Sequence, residues 1–382
     1  MRFRTRAVHA GSERDEATGA VIPPVHLATT YVQPDPTRPG PCDYARTGNP
    51  TRSALETAVA SLESGAHALA YASGMAAIHG IMMQLQPGDR VVAGRDIYGG
   101  TYRLLHHILQ PLGIDVELVD TTQGEALARA LERPTRLVWV ESPGNPLMSI
   151  TDLPEAIRLA HAAEAEIAVD NTFATPALTR PLEWGADYVM HSATKYLGGH
   201  SDVLGGVVVV GDTQRYERLK YLQNATGAVL GPWDCYLVQR GLKTLDLRVR
   251  AQAASAARIA QWLTEQERVT RVYYPGLAAH PGHHTAARQM SGCFGSMLSF
   301  EVEGGLDAAV ALARSTRLFQ LAVSLGAVES LIEIPATMSH ASYAAEARRA
   351  HGIGDALIRL SVGLEDADDL IDDLARGLES RP

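Results

Sequence analysis

The feature that most constrains the fold is an alternation of short strand-like runs with amphipathic segments, which begins near residue 51. The strand-like runs are HALAYA, DRVVAG, IDVELVD, TRLVWVES, AEIAVDN, ADYVMHS and GGVVVVG. The segments between them, such as SALETAVASLE and LPEAIRLAHAAE, have the apolar spacing of helices. This alternation predicts an α/β fold with a mainly parallel sheet between helices.

The same pattern divides the 382-residue chain into three parts. Residues 1–50 are polar, rich in proline and without periodicity, so we expect an arm that packs on something else. Residues 51–243 form the predicted large domain. Residues 244–382 begin with a long helix, continue with further strand-like pieces and end in an acidic helix, which predicts a smaller α+β domain.

Composition excludes several classes of protein. The net charge of −9 gives no overall attraction to nucleic acid or to an anionic membrane. No apolar run reaches the length of a membrane span, and the N-terminal residues lack the apolar region of a signal peptide. The three cysteines form no CxxC pair, which fits a reducing compartment. We therefore expect a cytoplasmic protein.

The loops that follow the predicted strands carry most of the chemically useful residues. They are SGM, IYGGTYR, SPGNP, DNT and HSATK. Open parallel sheets bind ligands at the carboxyl ends of their strands. We therefore expect hydroxyls, glycines, one Asp, one Asn, one Tyr and one lysine to gather at one edge of the sheet.

Lys195 is the most informative residue of this edge. The chain holds only three lysines, and its other basic residues among the 34 Lys and Arg are arginines. A guanidinium stays protonated, whereas an amine with a shifted pKa can act as a nucleophile and form a Schiff base. A lysine kept between small hydroxylated residues and a glycine pair therefore indicates covalent chemistry.

Several common cofactor motifs are missing from the sequence. There is no GxGxxG for a dinucleotide, and no lysine follows a glycine as a phosphate-binding P-loop requires. The histidine cluster HPGHH, residues 280–284, lies in a Pro/Gly-rich stretch without Cys or Glu partners, so we predict no metal site.

Pyridoxal phosphate needs an amine, an acid for its ring nitrogen, a phosphate cradle and an aromatic face. Lys195 and Asp170 can supply the first two, although Asp170 is equally typical of a helix cap or turn. Tyr98 can stack on the ring, or pack within a turn. The cradle can come from a helix start and from hydroxyls that alone would indicate only a polar turn: Gly74, Met75, Ser192 and Thr194.

Seven ordered segments resemble one family. They are YARTGNPTR, YASGMAA, DIYGGTYR, VDNTFATP, HSATKYLGGHSD, SLGAVESL and IRLSVGLED, and the likeness runs from about residue 6 to residue 379. Together they resemble the Cys/Met-metabolism enzymes that use pyridoxal phosphate, the fold-type I transsulfuration enzymes. The resemblance implies an aspartate-aminotransferase-like fold. Departures from the family pattern are small. Ala45 stands where many members have Ser, Gly198 where many have Asn and Tyr188 where an aliphatic residue is usual, and the loop SPGNP is commonly TPTNP or SPSNP.

The resemblance also implies roles for individual residues. Lys195 would be the Schiff-base lysine, Asp170 the partner of the ring nitrogen and Tyr98 the stacking tyrosine. Tyr44 and Arg46 would reach the phosphate of a neighbouring subunit. The remaining matches are Gly74, Met75, Ser192 and Thr194 for the phosphate, Arg359 with Asn145 and Ser330 for the substrate α-carboxylate, Arg103 for a distal carboxylate and Glu329 for a distal ammonium.

The implied reaction is γ-elimination of cystathionine, and the implied assembly is a homotetramer of active dimers that acts on small sulfur amino acids. Glu329 resembles γ-type members, because β-lyases tend to have Tyr there. Gly100 disfavours a methionine γ-lyase, which has Cys at that position. A γ-synthase remains a serious alternative, a β-lyase or an acylhomoserine sulfhydrylase a weaker one, and a non-catalytic regulatory protein a third class.

Overall fold

The computed structural model describes residues 1–38, 40–341, 343 and 345–380. Its α-helices in chain order are α1 (Phe3–His9), α2 (Pro50–Leu62), α3 (Gly74–Met82), α4 (Gly99–Arg103), α5 (Gly124–Ala130), α6 (Leu153–Ala162), α7 (Thr175–Leu178), α8 (Thr213–Thr226), α9 (Pro232–Leu242), α10 (Leu245–Leu263), α11 (His283–Gln289), α12 (Gly305–Ser315), α13 (Ala345–Ala350) and α14 (Ala367–Glu379).

The strands in chain order are β1 (His67–Tyr71), β2 (Arg90–Gly94), β3 (Asp115–Val119), β4 (Leu137–Glu141), β5 (Glu166–Asp170), β6 (Tyr188–Ser192), β7 (Gly206–Val210), β8 (Val269–Tyr273), β9 (Met297–Val302), β10 (Gln320–Leu321), β11 (Leu331–Glu333) and β12 (Leu357–Ser361). Every strand-like run named from the sequence is a strand. The short β10 and β11 were not predicted, because two or three residues carry no periodic signal.

The described residues group into two compact units, each made of two chain segments. The first unit comprises Met1–Gln84 and Arg180–Asp246, and the second Leu85–Thr179 and the described residues from Leu247 onward. The last boundary between the two units, after residue 246, lies near the predicted domain boundary after residue 243. The predicted domain 51–243 contributes to both units, and the three-part division itself stays a prediction.

The first unit contains three paired strands. Strand β7 lies between β1 and β6 and is antiparallel to both. The segment between β6 and β7 has turns and no crossover helix, so β7 can return antiparallel to β6. This differs from the parallel arrangement that the alternation predicts. Strands β1 and β6 still run in the same direction, so their carboxyl ends share an edge.

The second unit contains the parallel strands. Their order is β5, β4, β2, β3, and each neighbouring pair is parallel. Strands β2 and β4 are buried along their whole length, as expected when helices cover both faces of a sheet. The loops after β2, β4 and β5 therefore lie along one edge, which carries part of the predicted site.

The same unit holds a second sheet, formed after residue 268. Its strand order is β10, β11, β12, β9, β8, and all neighbours except β10 and β11 are antiparallel. Helix α14 places Leu370, Leu374 and Leu378 on one face, and these residues pack in the core of that sheet. The predicted α+β architecture of the C-terminal part is thus confirmed.

The N-terminal residues are more ordered than predicted at their beginning. Helix α1 buries Ala7, and the Lys243 ammonium donates to the carbonyl of Val8 at 3.2 Å. Beyond α1 the arm is irregular, as expected, up to α2. Several large apolar side chains of the arm are exposed: Val21, Ile22, Leu27 and Val32.

Candidate active site

In the first unit, the start of α3 lies against the end of β6. Ser73 caps the helix and accepts a hydrogen bond from the N–H of Ala76 at 3.0 Å. Gly74 is so close to Ser192 that a Cβ at position 74 would lie 3.0 Å from the Ser192 Oγ. The backbone N–H groups of Gly74 and Met75, at the positive end of α3, lie beside the Ser192 hydroxyl. Together they form a site suited to an anion.

Lys195 is half-buried in the turn that follows β6. Its N–H donates to the carbonyl of Ser192 at 3.1 Å, and its carbonyl accepts from Gly199 at 2.8 Å. The Thr194 hydroxyl accepts from the N–H of Gly205 at 3.0 Å, which closes the loop. Lys195, Ser192, Thr194, Gly74 and Met75 thus belong to one connected region of the first unit.

Tyr44 and Arg46 lie on an exposed loop of the first unit. The Arg46 guanidinium is 5.8 Å from the centre of the Tyr44 ring and donates to the carbonyl of Asn224 at 2.7 Å. The loop is held by Arg52, which is 2% exposed and donates to the carbonyls of Ala45 at 2.7 Å and Arg46 at 3.1 Å. We did not predict this role of Arg52 from the sequence.

In the second unit, Tyr98 precedes α4, and its side chain is 40% exposed. Its N–H donates to both carboxyl oxygens of Glu141, each at 2.9 Å. Glu141 ends β4 as Asp170 ends β5, and the two are paired residues in the register of these strands. A carboxyl at the end of an apolar strand was therefore visible in the sequence, but only Asp170 was singled out.

The carboxyl groups at this edge have unusual environments. Burial, and secondly the charge of Asp170, raise the pKa of Glu141 well above its ordinary value. Burial raises the pKa of Asp96 to about 6, although the Ser149 hydroxyl donates to it at 2.5 Å. Asp170 itself accepts from the N–H of Thr172 at 3.0 Å, which also makes it the turn residue of the alternative interpretation.

Arg359 is buried on β12 and contacts Asn145 as the resemblance implied. Its Nη1 donates to the Asn145 Oδ1 at 2.8 Å, and its Nη2 donates to the carbonyl of Ser324 at 3.0 Å. The same Nη1 lies 3.0 Å from Glu333 Oε1, and Glu333 is the cross-strand partner of Arg359. The buried Nε has no partner among the described residues, so the guanidinium retains donors for a carboxylate.

The other predicted substrate residues differ in burial. Ser330 is fully buried, and both its N–H and its hydroxyl donate to Glu365 at 2.8 Å. This contact fixes the backbone next to Glu329, whose side chain is exposed. Arg103 is also exposed, at the end of α4. The substrate-binding roles of Ser330, Glu329 and Arg103 stay predictions.

The histidine loop lines a cavity of about 600 Å³ in the second unit, and this cavity has few charges free for a ligand. Among its lining residues, Arg95 pairs with Asp120 at 2.8 Å and Asp152 with Arg288 at 2.7 Å. Burial lowers the pKa of His280 to about 4. In the described part of the chain, no group of three or more His, Cys, Asp or Glu is placed to hold a metal ion.

The described residues fit pyridoxal phosphate. In the first unit, a Cβ at position 74 would lie 3.0 Å from the Ser192 Oγ, so the start of α3 is close to this hydroxyl, and a helix start beside a hydroxyl suits a phosphate. The Lys195 amine belongs to the first unit, and the Asp170 carboxyl and the Tyr98 ring belong to the second. Within the described ranges, no helix is long and apolar enough to cross a bilayer.

Comparison with known proteins agrees with this chemistry. A family model described as Cys/Met metabolism PLP-dependent enzyme matches residues 4–379. The chain is 48% identical over 380 residues to the cystathionine gamma-lyase of Bacillus subtilis (strain 168), with 100% of both chains covered. It is 46% identical over 379 residues to the cystathionine beta-lyase of Lactococcus lactis subsp. cremoris (strain MG1363), with 99% of both covered.

A solved structure with the same fold is the cystathionine gamma synthase of Xanthomonas oryzae pv. oryzae in complex with aminoacrylate and cysteine. Its TM-score is 0.96 at 47% identity, and the match covers 99% of this chain and 98% of that chain. Fold and site thus define a pyridoxal-phosphate-dependent α/β enzyme. The chain belongs to the Cys/Met metabolism PLP-dependent enzyme family. The predicted family, fold class and cofactor are confirmed.

Proposed function

We propose that this enzyme is a cystathionine γ-lyase, which converts L-cystathionine to L-cysteine, 2-oxobutanoate and ammonia. The observation that carries the choice is Glu329, an acidic residue at the position where β-lyases tend to have Tyr. Its backbone is fixed because the neighbouring Ser330 is bound by Glu365 through two hydrogen bonds of 2.8 Å. A carboxylate held there suits the distal ammonium of cystathionine.

Substrate binding in this proposal uses the charged residues of the second unit. Arg359 binds the α-carboxylate, with Asn145 holding the guanidinium through the 2.8 Å hydrogen bond. Arg103 binds the distal carboxylate. Carboxylates at both ends of the substrate therefore meet guanidinium groups, which bind them bidentately.

Proton transfer in this proposal uses three side chains. Pyridoxal phosphate, when bound, supplies an aldehyde for the substrate amine and a ring that withdraws electrons from Cα. Asp170 keeps the ring nitrogen protonated. The Lys195 amine would take the Cα proton, give that proton back to the cofactor side of the bound substrate and, as a free amine again, take a Cβ proton; the Tyr98 hydroxyl would donate a proton to sulfur as the Cγ–S bond breaks.

A product assay tests the proposal. The purified protein with pyridoxal phosphate and L-cystathionine is expected to form 2-oxobutanoate and ammonia with little pyruvate. Lys195→Arg is expected to abolish turnover, because a guanidinium stays protonated. Lys243→Arg is the matched control and is expected to keep full activity. Pyruvate as the main product would contradict the proposal and support a β-lyase.

The second candidate is a cystathionine γ-synthase, which joins cysteine to an activated homoserine. The 47% identity with a γ-synthase structure keeps it in consideration, because that identity is within a percentage point of the identity with a γ-lyase. Incubation with cysteine and an O-acylhomoserine distinguishes the two. Condensation in large excess over elimination would support the synthase, and no turnover of any sulfur amino acid would support a regulatory role.

A further inference from the structure

The backbone of Tyr98 is anchored from the interior of the second unit. Its N–H donates to both carboxyl oxygens of Glu141 at 2.9 Å, and the Thr101 hydroxyl lies 3.5 Å from the same carboxyl. The Tyr343 hydroxyl donates to the carbonyl of Ile97 at 3.4 Å. Glu141 is only 8% exposed, so its carboxyl has little water to replace these partners.

We propose that Glu141 is a positioning residue for the reaction: its buried carboxyl fixes the backbone of Tyr98 and thereby the position and orientation of the phenol. This inference rests on the proposed role of Tyr98. Tyr98 is 40% exposed as a residue, so packing surrounds it only in part. The backbone anchor adds a fixed point from which its side chain extends. A phenol that must reach one sulfur atom loses rate when it is displaced by about 1 Å.

The charged groups around Glu141 explain how an acidic residue can hold the Tyr98 N–H in the interior. The titratable groups that face it are Asp170 on β5, Asp96 after β2 and Tyr343. Burial and the charge of Asp170 raise the pKa of Glu141, so it keeps its proton to higher pH than an ordinary glutamate.

Two substitutions separate the acceptor from the charge. Glu141→Gln keeps a carbonyl oxygen that can accept the Tyr98 N–H and imitates the protonated acid. Glu141→Leu has a similar volume and no acceptor. Hydrogen–deuterium exchange of the Tyr98 amide is the direct readout, and it needs no activity. Losing the hydrogen bond is expected to speed exchange about tenfold in Glu141→Leu, and by less than about threefold in Glu141→Gln.

Steady-state kinetics on cystathionine give the second readout. We expect Glu141→Leu to lower kcat by about tenfold or more with KM within about twofold, because the substrate contacts are unchanged. Glu141→Gln is expected to restore most of kcat, because its amide oxygen can still accept the Tyr98 N–H. The matched control is Asp373→Asn, a buried carboxylate that accepts three backbone N–H groups near α12.

Each outcome has a defined meaning. Unchanged Tyr98 exchange in Glu141→Leu, or a kcat in Glu141→Gln as low as in Glu141→Leu, would overturn the positioning role. An equal loss of kcat in Asp373→Asn would show a general effect of stability and would also overturn it. If the unsubstituted enzyme does not turn over cystathionine, the proposed function fails, while the exchange experiment still decides whether Glu141 fixes Tyr98.

Discussion

At the scale of residues, the surroundings of Arg359 decide what it can bind. Glu333 and Asn145 take its Nη1, and Ser324 takes one donor of Nη2. The side chains of Arg359 and Glu333 are 3% and 1% exposed, so the pair is kept from water. The Glu333 carboxylate compensates the buried charge of Arg359, which makes the burial of the guanidinium less costly. It does not use the Nε–H, so this donor remains available to a carboxylate.

Arg359→Lys tests that arrangement. A lysine retains the charge but cannot form the planar fork, so one charge-assisted hydrogen bond or more is lost. We expect kcat/KM for cystathionine to fall about 100-fold, mainly through KM, which corresponds to about 2–3 kcal/mol. Arg158→Lys, in an exposed pair with Glu155, should change neither parameter. A KM within twofold of the original in Arg359→Lys would refute the carboxylate role.

We expect the titration of His340 to change the free energy of unfolding with pH. It is fully buried, and its Nε2 lies 3.2 Å from the carbonyl of Asn145. Burial, and secondly the charge of Arg359, lower the pKa of His340 to about 4. The unfolded chain binds a proton below about pH 6.5, whereas the folded chain does so only near pH 4, so stability falls as the pH is lowered between those values.

The predicted effect is measurable by denaturant unfolding of the native protein and of His340→Gln. Between pH 7.5 and pH 5, the free energy of unfolding of the native protein should fall by about 2 kcal/mol more than that of the variant. The comparison cancels other groups that titrate in both proteins. Parallel pH curves for the two proteins would mean that His340 does not contribute.

At the scale of elements, the start of α3 shows how a helix end becomes a binding site. A helix of nine residues begins at Gly74, its Ser73 cap satisfies the Ala76 N–H, and β6 brings Ser192 beside the first turn. The helix start depends on local sequence and was predicted, whereas the Ser73 cap was not. The approach of β6 depends on the antiparallel β7 that pairs with both strands of the first unit.

Gly74→Ala should separate cofactor binding from folding. The new Cβ would lie 3.0 Å from the Ser192 Oγ, in the space we assign to the phosphate. We expect the Kd for pyridoxal phosphate to rise about tenfold, while the apo-protein melts no earlier, because Ala favours a helix over Gly. Absorbance titration and thermal melting measure the two quantities.

The control for this change is Gly124→Ala, because Gly124 also opens a helix. A Cβ there would meet nothing closer than 3.9 Å. It should leave cofactor affinity unchanged. Equal Kd values for all three proteins would exclude the start of α3 as the phosphate site.

At the scale of the whole molecule, the loop of Tyr44 and Arg46 is exposed and is held by hydrogen bonds from Arg52. Arg52 fixes its carbonyls from a buried position, and Glu56 lies 3.8 Å from that guanidinium. The arm before it exposes large apolar residues such as Val21 and Val32, at 85% and 99%. These observations support the proposal that the arm contacts a second copy of the chain, while the homotetramer itself stays a prediction. A cytoplasmic location also stays a prediction.

Subunit mixing tests the arm. Arg46→Ala and Lys195→Ala are each expected to be nearly inactive as pure oligomers. If Arg46 serves the neighbour's phosphate, a mixed pair has one site that carries both changes and one that carries neither. Co-expression in equal amounts should then recover about a quarter of the original activity by random pairing. Activity no greater than the sum of the separate variants would place Arg46 at its own subunit's site.

The sequence alone determined the longer strands, the start of α3 and the motif-bearing loops, because periodicity and turn chemistry act over a few residues. It also singled out Lys195, Asp170 and Tyr98 from their local settings and Arg359 from the family resemblance, and their roles stay predictions. Other features needed the tertiary structure: Glu141 meets Tyr98 across 43 residues, Glu333 faces Arg359 only through the register of β11 and β12, and β7 reverses direction. Such contacts arise from strand pairing and burial between distant segments, which no local pattern encodes.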